Sequence, residues 1–525
     1  MHDLMSIREA SIWASKHIGK DVTPSNISYL IQYGRISKKG VNGSTFVTKN
    51  DLEEYYKSHN QSKEEIWVKK LGNDLNWNLS FSKYKESETT KHVHRLHSYK
   101  GKFIPQLVEY FLDNHTDNFK TKAFFRQGDI ILDPFCGSGT TLVQSNELNI
   151  HSIGIDISEF NAFISNVKVG RYNLSEVKKT AMRILRNLRI FQQEKNNVEF
   201  ENQLLYELKI FNAKYFPSPE FKYKVRRKEI DESSYGKQKA DEFLQIYNKL
   251  IAEYEIHLEQ ENQNSFLGKW YLQVVKDEID YVFRQIETIE NESTKMLLAL
   301  ILSRTMRSCR ATTHADLGTL KSPVTTTYYC KKHGKICKPL FSISGWWQRY
   351  AEDAIKRILE FDKLRTNTFQ KCLVGDSRTI DIFQQLENKN PDYFSLIKNK
   401  KVSGIITSPP YVGLINYHEQ HAYAYELLGF SRRDELEIGP LFRGQGLEAR
   451  KSYVRGVSDV LINCKRFLKK EYNIFLVAND KYNLYPQIAE LSNMTIVNKY
   501  KRPVLNRVEK DRTAYSEMIY HMMEK

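Results

Sequence analysis

The period of apolar positions changes several times along the chain, and the changes mark its elements. Asp129-Ile130-Ile131-Leu132 is an unbroken apolar run ending on Asp133, the pattern of a strand buried on both faces. Ser152-Ile153-Gly154-Ile155-Asp156 repeats the pattern after a helical stretch that starts at Thr140. This strand–loop–helix–strand order predicts a right-handed parallel unit. An amphipathic helix, Gln106 to Leu112, is expected just before it. From about 170 to 365 the period becomes helical, most clearly over Asp277–Phe283 and Met296–Met306. The α/β pattern resumes at Cys372-Leu373-Val374-Gly375-Asp376 and continues through Val402–Ile406 and Asn473–Val477.

The first 58 residues follow a different rhythm. Ser6-Ile7-Arg8-Glu9-Ala10 opens a helix, and Thr23-Pro24-Ser25-Asn26 breaks it and caps a second helix, Ile27 to Tyr33, stopped by Gly34. A hairpin turn is expected at Gly40–Gly43, and a third helix from Asp51. The pattern resembles the winged helix-turn-helix of excisionase and MerR-type proteins. That resemblance implies a short second helix in the major groove, with Ser25, Asn26, Ser28 and Tyr29 near base edges.

Composition narrows the class. The chain has 525 residues, with 79 Lys+Arg against 63 Asp+Glu, a formal net charge of +16. The excess suits a polyanionic partner, and also suits an ordinary basic protein. The densest basic run, Lys222 to Lys228 with Arg226 and Arg227, falls in the helical stretch. Six cysteines do not suggest a disulfide framework, so a reducing cytoplasm is expected. No apolar run reaches the roughly 18 residues that span a bilayer, so no membrane is expected as a partner. Nor is a signal peptide expected at the start.

Two loops carry the candidate chemistry. Asp133-Pro134-Phe135-Cys136-Gly137-Ser138-Gly139-Thr140-Thr141 follows the first strand, and Thr407-Ser408-Pro409-Pro410-Tyr411 follows the fourth. Gly137 and Gly139 permit positive φ and close backbone approach to a ligand, and N–H groups at a helix start can hold a carboxylate. Asp156, ending the next strand, suits the two hydroxyls of a ribose. The loop lacks the third glycine of a dinucleotide fingerprint. Together the two loops resemble the DNA amino-methyltransferases, which methylate an exocyclic nitrogen of cytosine or adenine.

The resemblance implies a Rossmann-like class I methyltransferase fold, α/β with a mixed seven-strand sheet, a mostly helical insert and the small N-terminal winged helix-turn-helix. It implies S-adenosylmethionine as cofactor. The implied cofactor-binding residues are Asp133, Pro134, Phe135, Gly137, Ser138, Gly139, Thr140, Thr141, Asp156, Asp376 and Ser377, with Tyr99, Lys102 and Phe103 from a segment closing over the methionine end. Ser408, Pro409, Pro410 and Tyr411 are the implied catalytic residues. Serine in the first position usually accompanies cytosine-N4 enzymes, and Asp or Asn adenine-N6 enzymes. Double-stranded DNA with a flipped base is the expected substrate, and a cognate restriction endonuclease the expected partner. An RNA methyltransferase and a non-catalytic DNA-binding regulator remain rival readings.

The expected organisation is a DNA-binding module over 1–58, a linker over 59–91 and a cofactor half over 92–170. A helical insert over 171–365 is the candidate target-recognition region, and 366–525 is the catalytic half. No metal is expected. Cys330, His333 and Cys337 form a C-x2-H-x3-C group, with Cys309 and His314 upstream. Structural zinc wants four ligands and only three are grouped, so a hairpin with buried thiols is expected instead.

Overall fold

The computed structural model describes all residues except 1–3, 20, 41–44, 58–62, 100, 259–263, 317–319, 388 and 506–513. Its strands are β1 (Leu4–Ser6), β2 (Phe46–Thr48), β3 (Ile130–Asp133), β4 (His151–Asp156), β5 (Tyr328–Cys330), β6 (Lys335–Cys337), β7 (Gln370–Val374), β8 (Val402–Thr407), β9 (Leu468–Ala478), β10 (Met494–Pro503) and β11 (Ser516–Glu524). The chain divides into two compact units. One comprises residues 1–66, 188–278 and 309–343, and the other 67–187, 279–308 and 344–525.

The second unit is built on a seven-stranded sheet in the order β10-β11-β9-β8-β3-β4-β7. β3 pairs in parallel with both β4 and β8, β4 with β7, and β8 with β9. β11 runs antiparallel to both its neighbours. The chain builds outward from β3 through β4 to β7, then returns to the other side of β3 with β8. The order therefore reverses between β3 and β8, and the crevice outside the carboxyl ends of these strands is where open parallel sheets bind ligands.

Alternation along the strands explains the layers. Ile130, Leu132, Ile405 and Ile474 face one core, with Val457 and Leu461 of helix Leu447–Lys465. Ile131, Ile406, Phe475 and Val477 face the other, with Leu107 and Phe111 of helix Pro105–Leu112. Both faces are covered, which is why these strands read as continuous apolar runs.

Two expected boundaries differ in the structure. The stretch expected as a linker carries Leu79, wholly buried in the second core. Asn76 exchanges hydrogen bonds with Lys501 on β10, at 2.8 and 2.9 Å, so residues 67–91 cover the sheet edge. The expected insert is shared between the units. Helix Glu292–Ser308 is apolar nearly all round, with Leu297 to Leu302 buried, and belongs to the sheet unit.

In the other unit, helix Ile7–Ile18 starts from a Ser6–Glu9 capping box and ends at Gly19, in left-handed conformation. Helix Pro24–Gln32 starts from Thr23 in the same manner. Ala10, Ala14, Ile27, Ile31, Val47 and Leu52 make a small core beneath the β1–β2 pair and helix Lys49–Lys57. Most of the expected Gly40–Gly43 turn lies outside the described residues, although Lys39 bridges to Phe46 just beyond it. Among the described residues no helix is long and apolar enough to cross a membrane.

Candidate active site

Because β3 and β8 are neighbours, the loops that leave them meet at the switch point. Asp133 joins them. Its carboxylate accepts from Thr141 Oγ1 at 2.6 Å and from Thr407 Oγ1 at 2.5 Å, with Phe135 N at 3.2 Å. Burial pushes this carboxyl up to about 6, against the pull of the two hydroxyls and the amide. Asp133 therefore faces protein and does not reach the cavity that opens beside it.

That cavity has a volume of about 840 Å³ counted out to its mouth. Pro134, Phe135, Gly137 and Ser138 form one wall. Gly137 and Gly139 have φ of +53° and +75°. A Cβ on Gly137 would come within 3.0 Å of the Tyr99 hydroxyl, and one on Gly139 within 2.9 Å of the Ser165 side chain. Gly139 is the N-cap of helix Thr140–Glu147. Thr140 lines the cavity, whereas Gly139 and Thr141 do not.

Asp156, at the end of β4, lines the cavity and organises its second wall. It accepts from Gly137 N at 2.7 Å, Ser158 N at 2.9 Å and Asn161 Nδ2 at 3.1 Å. Burial raises this carboxyl to about 6. Ser138 Oγ and Asn161 Oδ1 are buried in the same walls without a hydrogen-bond partner among the described residues. Two orphaned polar atoms, a carboxylate with a spare lone pair and apolar surface from Phe103 and Phe135 fit a ligand with an apolar body and several hydroxyl and amino groups.

Asp376 and Ser377, after β7, line the far side. The Asp376 carboxylate is held by Arg378, at 2.6 Å from Nη2. The Ser377 hydroxyl donates to the Pro134 carbonyl at 2.6 Å, which ties this loop to the glycine loop. Tyr99, Lys102 and Phe103 also line the cavity. Tyr99 stacks on Tyr417 and His421, with ring centroids 6.1 and 5.8 Å apart. Lys102 Nζ donates to the His94 carbonyl at 2.7 Å, and burial lowers it to about 8.

Of the Ser-Pro-Pro-Tyr loop, Ser408 and Pro410 reach the cavity, while Pro409 and Tyr411 do not. Ser408 Oγ donates its proton to the Val477 carbonyl on β9 at 3.0 Å. The oxygen it keeps for any other group is thus an acceptor. Tyr411 is anchored through its hydroxyl, which donates to Glu517 Oε1 at 3.0 Å, and Glu517 Oε2 pairs with buried Arg502 at 3.0 Å. Sequence reading missed Ser158, Asn161, Tyr417 and Glu437 as wall residues. Ser158-x-x-Asn161 was legible as a helix cap directly after Asp156. Glu437 had no local signal. It accepts from His418 N at 3.0 Å and pairs with the His418 ring. His418 and His421 are both buried.

The four candidate DNA contacts lie in the other unit. Ser25, Asn26, Ser28 and Tyr29 are exposed on helix Pro24–Gln32, opposite buried Ile27 and Ile31. Asn26 Oδ1 is occupied by the Thr23 N–H and hydroxyl, each at 2.8 Å, and Ser28 Oγ donates to the Pro24 carbonyl. Tyr29, 54% exposed, stacks on Tyr33.

Residues 5–166 match the N6/N4 family model described as DNA methylase. The chain is 46% identical over 523 residues to the type II methyltransferase M.MjaII of Methanocaldococcus jannaschii, covering 99% of this chain and 97% of that one. Shorter matches join it to type II methyltransferases of two further organisms. M.BsoBI of Geobacillus stearothermophilus is 35% identical over 94 residues, 18% of this chain and 17% of its own. M.MvaI of Kocuria varians is 28% identical over 106 residues, 20% and 22% respectively.

Proposed function

Because the chain belongs to the DNA methylase family of type II methyltransferases, we propose that it methylates the exocyclic N4 of cytosine in double-stranded DNA, as the modification enzyme beside a cognate restriction endonuclease. S-adenosylmethionine, the methyl donor of DNA methyltransferases, supplies an electrophilic methyl group when bound. The switch-point cavity is its site in this reading. Asp156 and the orphaned oxygens of Ser138 and Asn161 take its hydroxyl and amino groups, and Asp376 and Ser377 border the base. Phe103, Phe135 and Tyr99 enclose the methionine end. Asp133, Gly139 and Thr141 act one step back, by fixing the loop.

The observation that carries the base assignment is serine, Ser408, in the first position of the loop, where its hydroxyl donates to Val477. The lone pair of an aryl amine is delocalised into its ring, so the nitrogen is a poor nucleophile. A neutral acceptor on one N–H and the Pro409 carbonyl on the other favour the tetrahedral nitrogen and free its lone pair. Two prolines hold both acceptors by fixing φ and removing N–H donors. Positioning and electrostatics supply the acceleration, and no covalent enzyme intermediate is needed. The target base must leave the duplex to reach this pocket. Helix Pro24–Gln32 reads the major groove as the second helix of a winged helix-turn-helix, through Ser25, Asn26, Ser28 and Tyr29. Basic residues of the 171–365 stretch share target recognition.

Tritiated methyl transfer to unmethylated plasmid DNA, followed by nucleoside mass spectrometry, tests this reading. N4-methylcytosine is the expected product. N6-methyladenine alone overturns the base assignment, and label in RNA but not in DNA overturns the substrate. Ser408→Ala is expected to lose methyl transfer and keep DNA binding, as a non-catalytic regulator would not require.

A further inference from the structure

The three grouped ligands of the sequence gain a fourth in the fold. His314 comes to the β5–β6 hairpin, and the ligand atoms of His314, Cys330, His333 and Cys337 all lie within 4.8 Å of one another. Cys337 Sγ is 3.5 Å from His333 Nδ1, and Cys330 Sγ is 3.9 Å from His314 Nδ1. Tetrahedral zinc, with bonds of roughly 2.3 Å to sulfur and 2.0–2.1 Å to nitrogen, sets neighbouring ligand atoms about 3.3–3.8 Å apart. A slight contraction brings the four into that range.

The backbone builds the cluster. Gly334, at φ +63°, lets His333 N and Gly334 N both donate to the Cys330 carbonyl, at 3.1 and 2.7 Å. The tight turn sets Cys330 and His333 on one side, and the register opposes Cys337 to Tyr328. Both thiols are buried and both imidazoles exposed. Cys309, the other upstream candidate, is buried outside the cluster.

We propose that His314, Cys330, His333 and Cys337 bind one zinc ion as a closed, structural site. Four protein ligands leave no open position for water or substrate. The hairpin needs such a clamp, since strands of three residues are marginal on their own. It is tied into its unit by Asn212, which bonds both N–H and C=O of Ile336, and by Lys222 Nζ on the Lys331 carbonyl at 2.8 Å. The adjacent Tyr223 hydroxyl accepts from Lys38 N at 2.9 Å and donates to the Ile36 carbonyl. The ion would thus stiffen the support of the N-terminal helices.

Full-length protein purified without chelators is expected to carry one zinc per chain by elemental analysis. Cobalt(II) exchanged into it is expected to give tetrahedral d–d bands and a thiolate charge-transfer band. Cys330→Ser and His314→Ala are expected to lose the metal, and Cys309→Ser to retain it. His314 is exposed, so its variant remains informative where the cysteine variant fails to fold. Metal-free wild type with no cobalt bands overturns the site, as does a Cys330–Cys337 disulfide found by mass spectrometry. Zinc retained by both Cys330→Ser and His314→Ala places it elsewhere and also overturns the site. None of these outcomes depends on methyl transfer.

Discussion

Two loops leave adjacent parallel strands at one edge of the sheet, and they are made rigid by opposite means. The loop after β3 is permissive in itself, with two glycines at positive φ, and is fixed by its surroundings. Asp156 holds the Gly137 amide, Lys168 the Ser138 carbonyl and Ser377 the Pro134 carbonyl. The loop after β8 is stiffened from within by two prolines, and its outside bonds run through the side chains of Thr407, Ser408 and Tyr411 rather than through its backbone. A loop held by its neighbours transmits damage to the fold and to cofactor affinity. A loop held by its own backbone confines damage to the group it presents.

Ser408→Ala gives the sharpest contrast. Methyl transfer should fall about a hundred- to ten-thousand-fold, while cofactor affinity by calorimetry and the thermal midpoint stay near wild type. An equal loss of cofactor affinity would mean that the two loops are not separable. Gly139→Ala should do the reverse. Its new Cβ meets Ser165 at 2.9 Å in a left-handed conformation, at a cost of about 1–3 kcal/mol. Thermal unfolding should come earlier, and the cofactor should bind more weakly.

The next contrast is in pH. If Asp156 takes the ligand hydroxyls as proposed, it accepts from them more strongly when ionised, and its carboxyl is raised to about 6 by burial. Cofactor affinity should therefore be complete above about pH 6 and decline below it, and Asp156→Asn should flatten the profile. Folding stability has the opposite sign. A carboxyl raised in the folded state contributes stability at acid pH that is lost as pH rises from about 4 through 6. The smallest effect is expected at the brace between the loops. Thr407→Val removes one hydroxyl from the buried Asp133 carboxylate, costing about 1–2 kcal/mol in urea unfolding. Thr141 and the Phe135 amide should keep both loops in place, and the rate should change little.

What the sequence disclosed follows from locality. β3, β4, β7, β8 and β9 announced themselves as apolar runs because both faces of each are covered, and the two loops as short motifs at their ends. Glu437 was hidden because nothing local ties it to Asp156 or Ser408, whereas Asn161 sits in a cap signal five residues after Asp156. The partners of Asp133 and Tyr411 were hidden for a related reason. A motif names a residue type, whereas the direction of its side chain depends on partners such as Thr407 and Glu517 that lie far along the chain. His314 was seen upstream of the cysteine group but not counted with it, because 15 residues separate it from Cys330 and only the fold brings them together. β11, alone in running against the sheet, is buried continuously from Ile519 to Met522 and carries no motif.

The bond from Thr407 to Asp133 spans 274 positions. At roughly 5–20 residues per second, a ribosome needs about 14–55 s to deliver the threonine after the aspartate. Once β4 is made, and until β8 follows, β3, an interior strand of the finished sheet, can pair with β4 on one side and has an open edge on the other. A nascent chain in this state presents a hydrophobic strand with unpaired amides, the usual template for illicit pairing. Slowing translation between residues 156 and 402 should therefore lower the soluble yield more than an equal delay placed after residue 478.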